Sequence, residues 1–146
     1  MFSSSASQVG HRAPMAAMYR GVGATTAVDG ASPHKLVSML YQALAGEIAA
    51  ARGAISRSDV AEKGRAIGHA VRIVEEGLVA PLDLAAGGAL AANLRDLYDY
   101  IVRRLTIANL KSDDAALADC ATLVQTMRDS WDAIASQVEM PARAAA

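Results

Sequence analysis

The sequence has little that would staple or anchor a chain. Its 146 residues include a single cysteine, Cys120. That excludes an intramolecular disulfide and suits a reducing compartment. No apolar run approaches the ~20 residues a helix needs to cross a bilayer. The start lacks a basic stretch followed by an apolar core, so no secretory signal is expected. The formal net charge is only −1, which gives no pull toward nucleic acid or anionic lipid. Proline is scarce, and the apolar/polar alternation of strands is missing. With alanine abundant, this composition predicts an all-α protein, and the length predicts one domain with its own core.

A chemical constellation is missing as well. His11 stands in a polar stretch, His34 at a helix start, expected to face solvent, and His69 alone in a helical segment. None has metal-ligand spacing, and no Ser-His-acid or Cys-His arrangement can be assembled. Gly87-Gly88 follows no strand and precedes no Lys-Ser or Lys-Thr, so it is not a phosphate loop. No cofactor, metal or catalytic activity is expected. One alternative stays open. His69 is followed by Arg72, which suits a histidine phosphotransfer bundle, although Ile73 stands where such bundles leave a glycine for the docking partner.

Helical periodicity is what the chain does have. Residues 1–13 lack it and read as a disordered tail. Pro14 to Arg20 carries Met15, Met18 and Tyr19 on one face and stops at Gly21, a short helix that must dock to be stable. It either caps one end of the domain or lies in a binding groove. Ser32-Pro33 opens a first long helix. Its stripe is Leu36, Val37, Leu40, Leu44, Ile48, Ala51 and Ile55, beside a line of small residues that starts at Met39 and runs to Gly53. That line is either packing or a docking groove. Asp59-x-x-Glu62 starts a second helix, with Ile67, Val71, Val74 and Leu78 inward and Pro81 ending it. Gly64, Gly68 and Gly77 each weaken it by up to about 1 kcal/mol relative to alanine. Asp83 to Gly88 is the connection.

The third helix faces inward with Leu90, Leu94, Leu97, Tyr98, Ile101, Leu105 and Ala108. Tyr100, Arg103, Ile107 and Leu110 fall together on the opposite side. A bundle helix needs one apolar stripe, so a second marks a surface that meets something, unless the helix is simply well buried. Ser112 to Asp114 start a fourth helix, whose seam is Leu117, Cys120, Val124, Met127, Trp131, Ile134 and Val138. Cys120 reads as a small buried apolar residue and Trp131 as a core anchor. Four long helices with short connections predict an antiparallel up-down-up-down four-helix bundle, over residues 14–138 with the short N-terminal helix as a cap. Residues 139–146, with Pro141 and an alanine-rich end, read as a flexible tail.

Three motifs carry a family resemblance. They are Ala31-Ser32-Pro33 with Lys35-Leu36-Val37 and Met39-Leu40-Tyr41; Asn93-Leu94, Leu97-Tyr98-Asp99-Tyr100, Arg103-Arg104-Leu105 and Ala108-Asn109; and Arg128 before Trp131. In this order and spacing, from Tyr19 to Ile134, the chain resembles the flagellar secretion chaperones of the FliS family. Gln42, where an acidic residue is expected, and a longer N-terminal tail depart from the pattern. The resemblance implies a cytoplasmic export chaperone. It would bind the disordered C-terminal segment of flagellin, prevent premature polymerisation and deliver it to the flagellar type III export gate. It implies no nucleic acid and no membrane insertion. The implied partner-binding residues are Tyr19, Met39, Tyr41, Asn93, Leu94, Leu97, Tyr100, Arg103, Arg104 and Ile107. A bundle for another amphipathic peptide is the alternative among binding modules.

Overall fold

The structure, a computed structural model, describes the backbone of residues 31–145 and the side chains of residues 31–135. The short helix expected at 14–20, and Tyr19 with it, lies outside the described residues.

Capping residues set where each helix begins. Ser32 Oγ accepts from the Lys35 amide at 3.1 Å, and Pro33 opens α1, Pro33–Ser56. Asp59 accepts from the Glu62 amide at 3.1 Å and starts α2, Val60–Arg72. Asp83 accepts from the Ala86 amide at 3.0 Å and starts α3, Leu84–Lys111. Asp113 accepts from the Ala116 amide and starts α4, Asp114–Ala145. The connections are a few residues long, so consecutive helices run antiparallel. α1 packs on α2 and α4, and α3 closes the ring against the other two. This is the expected all-α four-helix bundle.

Leu44, Ile48, Ile67, Ile73, Val74, Ile101, Leu105, Leu117, Cys120 and Val124 form the fully buried centre. All but Ile73 are expected stripe residues, and they come from all four helices. Cys120 is sealed there as expected, and burial pushes its thiol up to about 11.

Four expectations are corrected. First, α2 does not stay α-helical: Ile73–Val79 is a π-helical stretch, closed by Ala80 N–H donating to Glu75 O at 3.0 Å. Gly77 lies within it. A Cβ there would come 2.9 Å from Leu40 Cδ2, so this glycine allows α1 and α2 to approach. Second, residues 84–87 form a helical turn and not a connection, and the break sits at Gly88, with φ 55° and ψ −134°. That backbone suits glycine, and the kink brings the Ala91 methyl within 2.6 Å of where a Gly87 Cβ would stand. Third, Leu90 and Ile134 are not core residues; they are 69% and 43% exposed. Periodicity places a residue on a face but does not say whether a neighbour covers that part of it. The kink takes the first turn of α3 out of register, and residues 83–90 are all exposed. Fourth, His34 does not face solvent. Its ring stacks on Trp131 at 4.5 Å, its Nε2 lies 2.9 Å from Trp131 O, and Trp131 Nε1 donates to His34 O at 3.0 Å. The half-buried Trp131 also sets its ring against the edge of Tyr41.

Candidate partner-binding surface

The inward side of α3 is fixed by Tyr98, Ile101, Leu105 and Ala108, all buried. Tyr98 is tied across the core, its hydroxyl 2.6 Å from that of Tyr41 on α1. Burial raises the pKa of both phenols, so the pair is a neutral hydrogen bond. Removing either hydroxyl leaves its partner buried and unpaired, at a cost of about 1–3 kcal/mol.

The outward side remains open. Asn93, Leu97, Tyr100, Arg104 and Ile107 follow one another at steps of four and three, which is one flank of a helix. Asn93 and Tyr100 are exposed, while Leu97, Arg104 and Ile107 are half-buried. Leu94 is half-buried and packs against the core, and Arg103 is exposed. Leu110 is 81% exposed and Leu90 extends the flank by one more step. The structure therefore brings Asn93, Leu97, Tyr100, Arg104 and Ile107 together and sets Arg103 and Leu110 beside them. It separates Met39 and Tyr41, which are buried. Met39 belongs to the core; Tyr41 also borders a cavity of about 390 Å³ at the start of α1, with Lys35, Arg128 and Asp132 on its walls.

Asp119 of α4 organises this flank, a residue that sequence reasoning missed. Its Oδ2 accepts from the Tyr100 hydroxyl at 2.6 Å and stands 3.4 Å from Arg104 Nε. The hydrogen bond to the carboxylate pushes the Tyr100 phenol above its usual range. Arg104 Nε is buried and finds no hydrogen-bond acceptor among the described residues. A cross-helix pair leaves no spacing signal in either helix alone.

No group of acidic, histidine or cysteine side chains among the described residues could hold a metal. None of the described helices is long and apolar enough to cross a membrane. His69 is half-buried, and its Nδ1 lies 2.6 Å from Glu47 Oε2. That contact makes the ring part of a clasp between α1 and α2.

The described residues form a four-helix bundle with an aromatic- and arginine-bearing helix exterior. Comparison with known proteins makes this specific. The family model described as "Flagellar protein FliS" matches residues 15–138. The chain is 39% identical over 116 residues to the flagellar secretion chaperone FliS of Salmonella typhimurium, covering 80% of this chain and 86% of that one. It is equally identical to the flagellar secretion chaperone FliSB of Pseudomonas aeruginosa, covering 80% and 91%. The Bacillus subtilis FliS chaperone is 34% identical over 71% of this chain and 76% of its own. The chain belongs to the FliS family, which is a family of chaperones and not of enzymes.

Proposed function

We propose that this protein is a flagellar export chaperone that holds the C-terminal segment of flagellin in the bacterial cytoplasm and delivers it to the type III export gate. The observation that carries the reading is the open exterior of α3, taken together with the family. Leu90, Leu97, Tyr100, Ile107 and Leu110 offer apolar area along a helix whose core face is already satisfied. An amphipathic client helix laid there buries that area, at about 25 cal/mol per Å² before ordering costs. Asn93 would hydrogen-bond the client backbone. Arg103 and Arg104 would meet acidic groups or helix C-terminal carbonyls. Tyr19 and the segment around it would cover the groove in the free chain and leave it when the client arrives. Met39 and Tyr41 would take part only if the bundle opens, since both are buried.

Isothermal titration of the whole chain with a C-terminal flagellin segment from the same organism tests the reading. Saturable one-to-one binding with a large negative heat-capacity change is expected. Tyr100→Ala and Ile107→Ala should each weaken it about tenfold or more, as hot-spot truncations do. A folded chain that shows no binding at any concentration would end the chaperone proposal.

A further inference from the structure

The opposite end of the bundle holds a feature that the α3 exterior does not explain. Lys63 on α2 is the one charged side chain in the buried class among the described residues, at 8% exposure. None of the ion pairs of the described residues includes it. Its Nζ donates to Ser112 Oγ at 2.7 Å, which uses one of three ammonium donors. A buried ammonium is normally paired with a carboxylate. The Lys63 side chain instead lines a cavity of about 240 Å³, together with Ala54, Ile55, Ser58, Val60 and Ser112.

Two serines in that wall are unusual in the same way. Ser58 and Ser112 are the non-glycine residues with positive φ among those described, at 56° and 51°. Both follow the C-terminus of a helix, where glycine would adopt this backbone without strain. The chain keeps a hydroxyl at both positions. One accepts from Lys63; the other makes no hydrogen bond among the described residues. The acidic neighbours are committed elsewhere. Asp59, which also lines the cavity, caps α2, and Asp113 caps α4.

We propose that this cavity is a carboxylate-binding site. The Lys63 ammonium supplies the charge, the hydroxyls of Ser58 and Ser112 supply hydrogen bonds, and Ala54, Ile55 and Val60 receive a short apolar stem. The ligand is a carboxylate at the end of a peptide chain or on an acidic side chain. This goes beyond the flagellin reading, because the site lies between the α1–α2 and α3–α4 connections and its test needs no client.

The test is a nuclear magnetic resonance titration of the full ¹⁵N-labelled chain with N-acetylvaline, with its amide, and with N-acetylglutamic acid α-amide. Saturable shifts at the Ser58, Lys63 and Ser112 amides are expected with a carboxylate, and binding about tenfold or more weaker with N-acetylvalinamide. Lys63→Met keeps the stem and should abolish the discrimination; Lys63→Arg should retain it. Tighter binding of N-acetylvaline marks a chain end as the ligand, and tighter binding of the glutamyl amide marks a side chain. Equal shifts from valine acid and amide, no saturable shift with either carboxylate, or acid selectivity that survives in a folded Lys63→Met would overturn the proposal and leave Lys63 as a tether between α2 and α3. Should Lys63→Met fail to fold, the acid–amide comparison on the wild type still decides.

Discussion

α1 and α3 are both long amphipathic helices, and the bundle treats them differently. α1 lies between α2 and α4 and buries residues from Met39 to Ala54. α3 buries nothing before Ala91 and stops burying at Ala108, although it is the longer helix. One is a central element and the other a wall with an exterior to spare. The inner stripe of an amphipathic helix reports on the core, but the length of helix left uncovered reports on what else the protein does. Tyr41 and Tyr98 bolt the two together at mid-bundle, so α3 can present its outward side without leaving the core.

The sharpest way to test this contrast is to truncate one leucine on each helix. Leu44 on α1 is completely buried and Leu90 on α3 is 69% exposed. Leu44→Ala should cost about 3 kcal/mol, within the usual core range of about 2–5. Leu90→Ala should stay within about 0.5 kcal/mol. Urea unfolding reads both, and the slope should not change. A loss of about 2 kcal/mol or more at Leu90 would mean that this leucine is packed like a core residue, more tightly than a displaceable segment could hold it, and the contrast between the two helices would fail.

The α1–α2 contact can be probed through glycines. Gly77→Ala places a methyl against Leu40, a core residue at 2% exposure with no room to turn aside. It should cost about 1–3 kcal/mol through overpacking, less the small helix-propensity gain. Gly68→Ala on the same helical run meets nothing within 4 Å and should stabilise by up to about 1 kcal/mol. Opposite signs are the expected outcome. A stabilising effect at both would show that Leu40 yields and that the approach of α1 to α2 is loose.

These two glycines also show how much of the molecule could be read in advance. Both looked like weak points of α2, because propensity belongs to one residue in one helix. Gly77 differs from Gly68 only in what stands across the interface, and no periodicity records that. The stripes were legible for the opposite reason: Leu44, Ile48, Ile67, Ile101, Leu105, Leu117 and Val124 repeat along their own helices. Caps at Ser32 and Asp59 were legible because a cap is local. The candidate surface divides along the same line. Tyr100, Arg103 and Ile107 follow from the wheel of α3 and Asn93 from the family resemblance, whereas the Asp119 that holds Tyr100 and the stacking of His34 on Trp131 join distant parts of the chain. The π-helical stretch and the exact place of the Gly88 kink depend on tertiary fit in the same way.

The smallest expected effect separates the two helices by charge. On α1, Glu47 accepts two bonds from Arg65 and one from His69 of α2, at 2.6–3.1 Å. Burial alone would raise its pKa, but the hydrogen bonds and charge of Arg65 and His69 outweigh that and hold it below the ordinary glutamate range. A depressed carboxylate stabilises the fold above its unfolded pKa, near about 4.3, and that contribution disappears as pH falls through the lower folded value. Wild type should therefore exceed Glu47→Gln by about 1 kcal/mol at neutral pH, with the gap closing below about pH 4. On α3, Tyr100→Phe removes an exposed bond to Asp119 and should leave stability essentially unchanged. Urea titrations at a series of pH values compare the three chains. A gap for Glu47→Gln that stays constant into acid would show that the clasp acts through shape and not through charge. An equal, acid-sensitive loss in Tyr100→Phe would show that the α3 exterior is as firmly built as the α1–α2 contact, which would leave it far less free to meet a partner.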